Sequence, residues 1–203
     1  MESLLDIERE IFECRKCELF KTKTKYVPGS GNPKAEIVFV GEAPGKEEDQ
    51  TGEPFVGSAG KLLNEMLASI ALNRREVFIC NVLKCRPPNN RDPLPNEIEA
   101  CGGYLLRQLE VIKPVVIVCL GRFSASYIFG SFGLQFESIS KMCGKIFEVE
   151  TWGKKVRIIP LYHPAAILYK PQLRKEYEEH FKMLGKFLKS RQKSLFDFQM
   201  EFD

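Results

Sequence analysis

An α/β protein with a doubly wound, mostly parallel central sheet flanked by helices is what three observations predict. First, four short and nearly continuous apolar runs recur: AEIVFV (35–40), VFICNVL (77–83), PVVIVCLG (114–121) and VRIIPLY (156–162). Their length and β-branched content suit strands buried on both faces. Second, helical patterns lie between these runs, and alternation of strand with helix is the mark of parallel βαβ units. Third, the unusual residues fall at strand ends: GEAPG after the first run, NVLKCRPPNN at the end of the second, GR after the third and HPAAIL after the fourth. Ligands of open α/β sheets bind outside the carboxyl ends of the strands. Four separated stretches are therefore expected to converge on one crevice.

The elements follow in order. The N-terminal MESLLDIEREIF is acidic and amphipathic, without the basic start and apolar centre of a signal peptide. Lys61–Ile70 reads as a helix after the first strand, and Asn96–Ile112 as a second, stopped ahead of Pro114. Arg122–Phe129 forms a third. KIFEVETWGKKVRII reads as a hairpin turning near Trp152-Gly153, and Lys175–Ser190 is the closing helix. Residues 1–190 are thus expected to form one domain, and residues 191–203 a flexible tail.

At 203 residues, the chain is long enough for one α/β domain with a sizeable core. Hydrophobic residues at 44% and charged residues at 28% exclude a disordered chain. No apolar run reaches the roughly 18 residues of a membrane span. A cytoplasmic monomer is the expectation. The net charge of +3 says little by itself, because 30 basic residues nearly balance 27 acidic ones. Their distribution says more: Arg15, Lys16, Lys21, Lys23 and Lys25 crowd one end, and Lys182, Lys186, Lys189, Arg191 and Lys193 the other. Such clusters suit a polyanion, or else the solvated faces of lysine-rich helices.

Seven cysteines are unusual for a chain in a reducing compartment. Cys14-Arg-Lys-Cys17 is a CxxC pair, and Cys85 and Cys101 sit in or beside polar, proline-rich segments. Together they make a four-thiolate set suited to zinc or to an iron–sulfur cluster, and spacing does not choose between the two. Cys80 and Cys119 lie inside predicted strands, where cysteine serves as a small hydrophobe. Cys143, near a glycine turn, is the substitute ligand.

GEAPGKEEDQTGEPFVGSAG (41–60) has the position of a phosphate cradle without its chemistry. It lacks GxGxxG, and Gly60-Lys61 is followed by Leu62, so neither a dinucleotide fingerprint nor a Walker loop fits. Its five acids (Glu42, Glu47, Glu48, Asp49 and Glu53) would also repel a phosphate. A less charged ligand, lying close to phosphates, fits better.

Taken together, GEAPGKEEDQTGEPFVGSAG, NVLKCRPP, the four cysteines and HPAAIL resemble family 4 uracil-DNA glycosylases, the iron–sulfur members of that superfamily. The likeness covers about residues 1–190. It implies a three-layer sandwich, a structural 4Fe–4S cluster on Cys14, Cys17, Cys85 and Cys101, uracil-containing DNA as substrate, and a prokaryotic repair enzyme. Excision requires the nucleotide to be flipped out of the stack, its flat ring held, one edge read and the departing anion stabilised. On this resemblance Phe55 stacks on the ring, and the Asn81 amide matches uracil N3–H and O4. His163 donates to O2, while Gly41, Glu42 and Ala43 line the base through their backbone. Glu48 crowds C5 and excludes a thymine methyl group. Glu42 orients water or faces the cationic sugar; the catalytic set is therefore Glu42, Asn81 and His163. Ser58 is expected to contact phosphate, and Leu168 or Tyr169, in a loop after His163, to wedge into the duplex. His180 is expected on an exposed helical face. In the tail, Gln192, Leu195 and Phe198 resemble a sliding-clamp-binding peptide, although Gln199 replaces a customary aromatic. The contrasting readings are a non-catalytic nucleic-acid-binding metal protein and an iron–sulfur electron carrier.

Overall fold

A computed structural model describes residues 2–200, with the backbone alone for Lys189 and for 191–200. The side chains of Gln192, Leu195 and Phe198 therefore lie outside the described residues.

Six strands form one sheet: β1 (Ser30–Gly31), β2 (Ile37–Gly41), β3 (Phe78–Asn81), β4 (Val116–Leu120), β5 (Phe147–Thr151) and β6 (Lys154–Leu161). Their order is β1-β3-β2-β4-β6-β5. The four inner strands are parallel, and β1 and β5 pair antiparallel at the two edges. The four inner strands are the four apolar runs. Every residue of β2, β3 and β4 is buried, as continuous rather than alternating hydrophobicity requires. From β2 the chain steps outward to β3, then crosses back to β4 on the far side of β2. The β2/β4 boundary is therefore the switch point, where the helices diverge and open a crevice.

Helices cover both faces. On one side lie α3 (Ser58–Ser69), α7 (Pro164–Tyr169) and α8 (Arg174–Met200); Leu63, Met66, Leu67, Ile167, Tyr177, Phe181 and Leu184 pack there against Phe39 and Val118. On the other lie α4 (Pro95–Ile112) and α5 (Arg122–Ser131), whose Leu105, Leu109, Ile128 and Phe129 meet Val38, Val40 and Cys119. A third cluster joins Ile7 and Ile11 of α1 (Leu4–Phe12) to Leu83, Tyr104 and the cysteines. The three-layer expectation holds.

Local differences have physical reasons. The 77–83 run leaves the sheet after Asn81, where Val82 N–H and Leu83 N–H turn to donate to the carbonyls of Gly41 and Glu42, both at 3.0 Å. The β5–β6 hairpin does turn at Trp152-Gly153, both with positive φ (54° and 70°). Residues after His163 form a short helix, α7, instead of a loop, with Pro164 at its first position where the missing N–H costs nothing. The closing helix starts at Arg174 and continues to Met200, past the expected end at Ser190. Three further elements carried no sequence signal used above: α2 (Lys46–Thr51), α6 (Ile139–Met142) and the two-residue β1.

Candidate active site

The crevice at the strand ends holds a cavity of about 490 Å³, lined by residues from three of the four stretches, among them Glu42, Glu48, Phe55, Asn81 and His163; Gly121 and Arg122 of the third are not among its lining residues. The expected convergence holds for the stretches after β2, β3 and β6, whereas the one after β4 lies behind His163 rather than in the cavity wall.

Its floor is built by close packing. Asn81 ends β3 and is 1% exposed, and its Oδ1 has no hydrogen-bond partner among the described residues. A buried amide oxygen without a partner is costly, so this acceptor is kept for a reason other than stability. Gly41 ends the neighbouring β2. A Cβ there would run into Asn81 Oδ1 and come within 2.6 Å of the Phe55 ring, so glycine is what lets both side chains cross the strand end.

Phe55 belongs to the buried cluster as well as to the cavity wall. Its backbone is left-handed, with φ of 52°, which is strained for an aromatic residue. Two features hold it there. The Arg74 guanidinium donates to the carbonyls of Phe55 (2.9 Å) and Pro54. Gly60, in the first turn of α3, has no side chain to collide with the Phe55 carbonyl. Neither Arg74 nor the reason for Gly60 was visible in the sequence.

His163 caps α7, and its ring centroid stands 5.5 Å from that of Phe55, tilted by 32°. Its Nδ1 accepts from the Ala165 N–H at 3.2 Å. Loss of hydration lowers its pKa to about 4, against a small opposing pull from Glu48. The ring is therefore neutral at pH 7, and with Nδ1 accepting, the proton resides on Nε2. That leaves Nε2–H as a neutral donor on a ring that lines the cavity.

The Glu48 carboxylate is bound by backbone on both oxygens. Oε1 accepts from the N–H groups of Val56 and Gly57, both at 2.9 Å, and Oε2 accepts from Gly45 N–H at 3.1 Å. It lines the cavity but is engaged as a clamp that closes the acidic loop on itself. Buried Asp49 does similar work, accepting from Thr24 N–H at 2.9 Å and tying the loop to the N-terminal segment. Two of the acids that argued against a phosphate thus hold backbone. Glu42 is different: burial first, and Asp92 second, push its pKa up to about 7 against the pull of Arg122. Asp92 and Arg122 form an ion pair across the loops after β3 and β4.

Ser58, exposed at the N-terminus of α3, lines the mouth with Tyr169, which is 86% exposed. Leu168 is also exposed on α7, though not a lining residue. Pro87 and Asn90, within the NVLKCRPPNN stretch expected at the crevice, and Arg91 just beyond it also line the cavity, although none was singled out in the sequence. Asn90 has a φ of 53°, a conformation that asparagine tolerates, and Arg91 is held by a two-pronged pair with Glu97 (2.6 and 2.9 Å). The NN dipeptide in RPPNNR was the available signal.

Cys14, Cys17, Cys85 and Cys101 line one small cavity with Ile11, Leu19, Tyr26 and Tyr104. Lys84 N–H donates to Cys101 Sγ at 3.2 Å, and the Tyr26 hydroxyl donates to the Cys14 carbonyl at 2.6 Å. Burial, then repulsion from the other three thiols, drives Cys85 upward. Four cysteines in one apolar pocket, whose ionised forms would repel one another, fit a cationic iron–sulfur core or a metal ion that neutralises thiolates. Cys80 and Cys119 are buried strand residues, as expected. His180 is not on an open face: Gly144 packs against its ring, and its Nδ1 lies 3.8 Å from Cys143 Sγ. Cys143, Glu176 and His180 place one ligand atom each within 4.8 Å of one another, away from the four-cysteine nest.

One crevice of this parallel sheet thus gathers an amide oxygen without a partner, an aromatic ring and a neutral imidazole. The model of the uracil DNA glycosylase superfamily matches residues 28–188, and the chain belongs to that superfamily. A type-4 uracil-DNA glycosylase of Archaeoglobus fulgidus is 67% identical over 198 residues, covering 98% of this chain and 100% of the relative. The Saccharolobus solfataricus relative of that name is 49% identical over 199 residues (98% and 92%). The one from Thermotoga maritima is 46% identical over 168 residues (82% and 84%).

Proposed function

We propose that this protein is a monofunctional uracil-DNA glycosylase that hydrolyses the N-glycosidic bond of deoxyuridine in DNA, releasing uracil and leaving an abasic site for base-excision repair. The observation that carries this reading is the unpartnered, buried Oδ1 of Asn81 beside Phe55 and His163 in one cavity. An everted uracil lies against Phe55. Asn81 Oδ1 accepts from N3–H and its amide donates to O4, an arrangement that cytosine, with a donor at position 4, cannot match. In the reaction the C1′–N1 bond breaks and its electron pair leaves with uracil. His163 Nε2–H donates to O2, where the negative charge collects. Water adds to C1′ and loses a proton to solvent, and the uracil anion takes one up, so that the abasic sugar and uracil both end neutral. Gly41 and Ala43 shape the ring's edge, and Glu48 acts by holding the loop. Ser58 meets phosphate at the positive end of α3, while Leu168 and Tyr169 project toward the duplex.

Glu42, when ionised, orients the water and faces the cationic sugar. Its elevated pKa predicts that single-turnover excision rises as pH increases through about 7. His163 is not the source of this limb, because its pKa of about 4 keeps it neutral throughout that range. Glu42→Gln is expected to flatten the rise, as rates measured between pH 5.5 and 8.5 at fixed ionic strength would show; an unchanged limb in Glu42→Gln would remove Glu42 from this role.

Cys14, Cys17, Cys85 and Cys101 are proposed to hold a 4Fe–4S cluster that staples the N-terminal segment to the loop after β3. Bound there, the cluster supplies cross-linking rather than a step in hydrolysis. Anaerobically purified protein is expected to contain about four iron atoms and broad visible absorption; zinc in place of iron would refute the assignment. The parent proposal is tested with a labelled uracil-containing strand: alkali-labile cleavage at the uracil, with free uracil released, is expected, and an intact strand would defeat it.

A further inference from the structure

We propose that Lys84 is a positioning residue for uracil recognition, a buried strut that fixes the end of β3 and so the aim of the Asn81 side chain. This rests on Asn81 reading the uracil edge. Lys84 is 1% exposed, an uncommon place for an ammonium, since hydrophobic residues of similar volume avoid its loss of hydration. Its Nζ donates to the Asn81 carbonyl and to Gln108 Oε1, both at 2.8 Å. Gln108, itself 2% exposed, donates onward to the Pro28 carbonyl at 2.9 Å. Both acceptors of Lys84 are neutral oxygens, so the contacts serve direction more than charge pairing.

The location explains why such a strut is wanted. β3 stops at Asn81, and the next two N–H groups turn toward Gly41 and Glu42. Gly41, having no Cβ, leaves the space that Asn81 Oδ1 occupies on the β2 side and so does nothing to hold that side chain in place. Lys84 anchors the same residue from beneath through its carbonyl. Its own N–H bonds Cys101 Sγ, and its carbonyl accepts from Val27 N–H at 2.8 Å. Gln108 and Cys101 lie seven positions apart on the same face of α4. One residue therefore links the cysteine nest to the amide that meets the base.

The test is a double-mutant cycle on the cluster-loaded, full-length protein, read by single-turnover excision, by calorimetric affinity for free uracil and by iron content. Lys84→Met is expected to lower excision and uracil affinity about tenfold when Asn81 is present, and less than about twofold in the Asn81→Ala background. Iron content and affinity for uracil-free DNA should stay at wild-type levels. Equal losses in both backgrounds would overturn the proposal, because a merely structural lysine weakens both proteins alike. Gln108→Leu, which removes one brace without touching a cysteine neighbour, repeats the cycle should Lys84→Met lose its iron or fold; additive losses there overturn the proposal equally. A wild-type protein that releases no uracil would instead sink the functional reading.

Discussion

Asn81→Ala is expected to lower single-turnover uracil excision by about 10²-fold or more, and to do so with little loss of thermal stability. The reason lies in the difference between the two states of this side chain. In the free protein Asn81 Oδ1 is buried and has no partner, so its removal relieves an unfavourable group. With uracil bound, the same oxygen and its amide satisfy two edge atoms that have left water. Alanine leaves those atoms of the base unpaired at the buried floor of the cavity. Most core substitutions lose stability and activity together. This one should separate them, and melting curves beside excision rates would show it. Wild-type excision in Asn81→Ala would end its proposed role.

His163→Ala is expected to cost about 10²–10³-fold in the same assay, the usual loss when a donor to a developing oxyanion is removed. The geometry sharpens this expectation. The Ala165 N–H engages Nδ1, so Nε2 carries the proton, and the depressed pKa keeps the ring neutral. A donor fixed in tautomer and direction needs no rearrangement as charge builds on O2. The loss should fall in the chemical step, because the ground-state uracil carbonyl is a weaker acceptor than the departing anion. Affinity for uracil-containing DNA should change much less than the rate. A variant that binds more weakly yet excises bound uracil at the wild-type rate would contradict this role.

Much of the site could be read from residues whose placement is costly without a ligand. Asn81 stood out because an amide in an apolar strand demands a partner, and His163 because it ends a strand ahead of a proline. The cysteines were legible as a set for a similar reason: two lie outside apolar runs in which sulfur could serve as packing. The central sheet followed from continuous hydrophobicity, which leaves a short strand few alternatives. What escaped was set by contacts distant in sequence. Arg74 shapes Phe55 through backbone carbonyls that no pattern identifies, and Lys84 reads as an ordinary surface lysine until α4 closes over it. Glu48 was legible as an acid near the base, but not that both its oxygens are taken by three backbone N–H groups. The six-residue α7 and two-residue β1 are too short for periodicity to register.

That three side chains hold one ring is tested most directly by a crystal structure of the cluster-loaded protein with free uracil. Uracil should lie against the Phe55 face, with N3 and O4 within hydrogen-bond reach of the Asn81 amide and O2 within reach of His163 Nε2. Uracil bound elsewhere, or in this cavity with its edge turned away from Asn81, would contradict it.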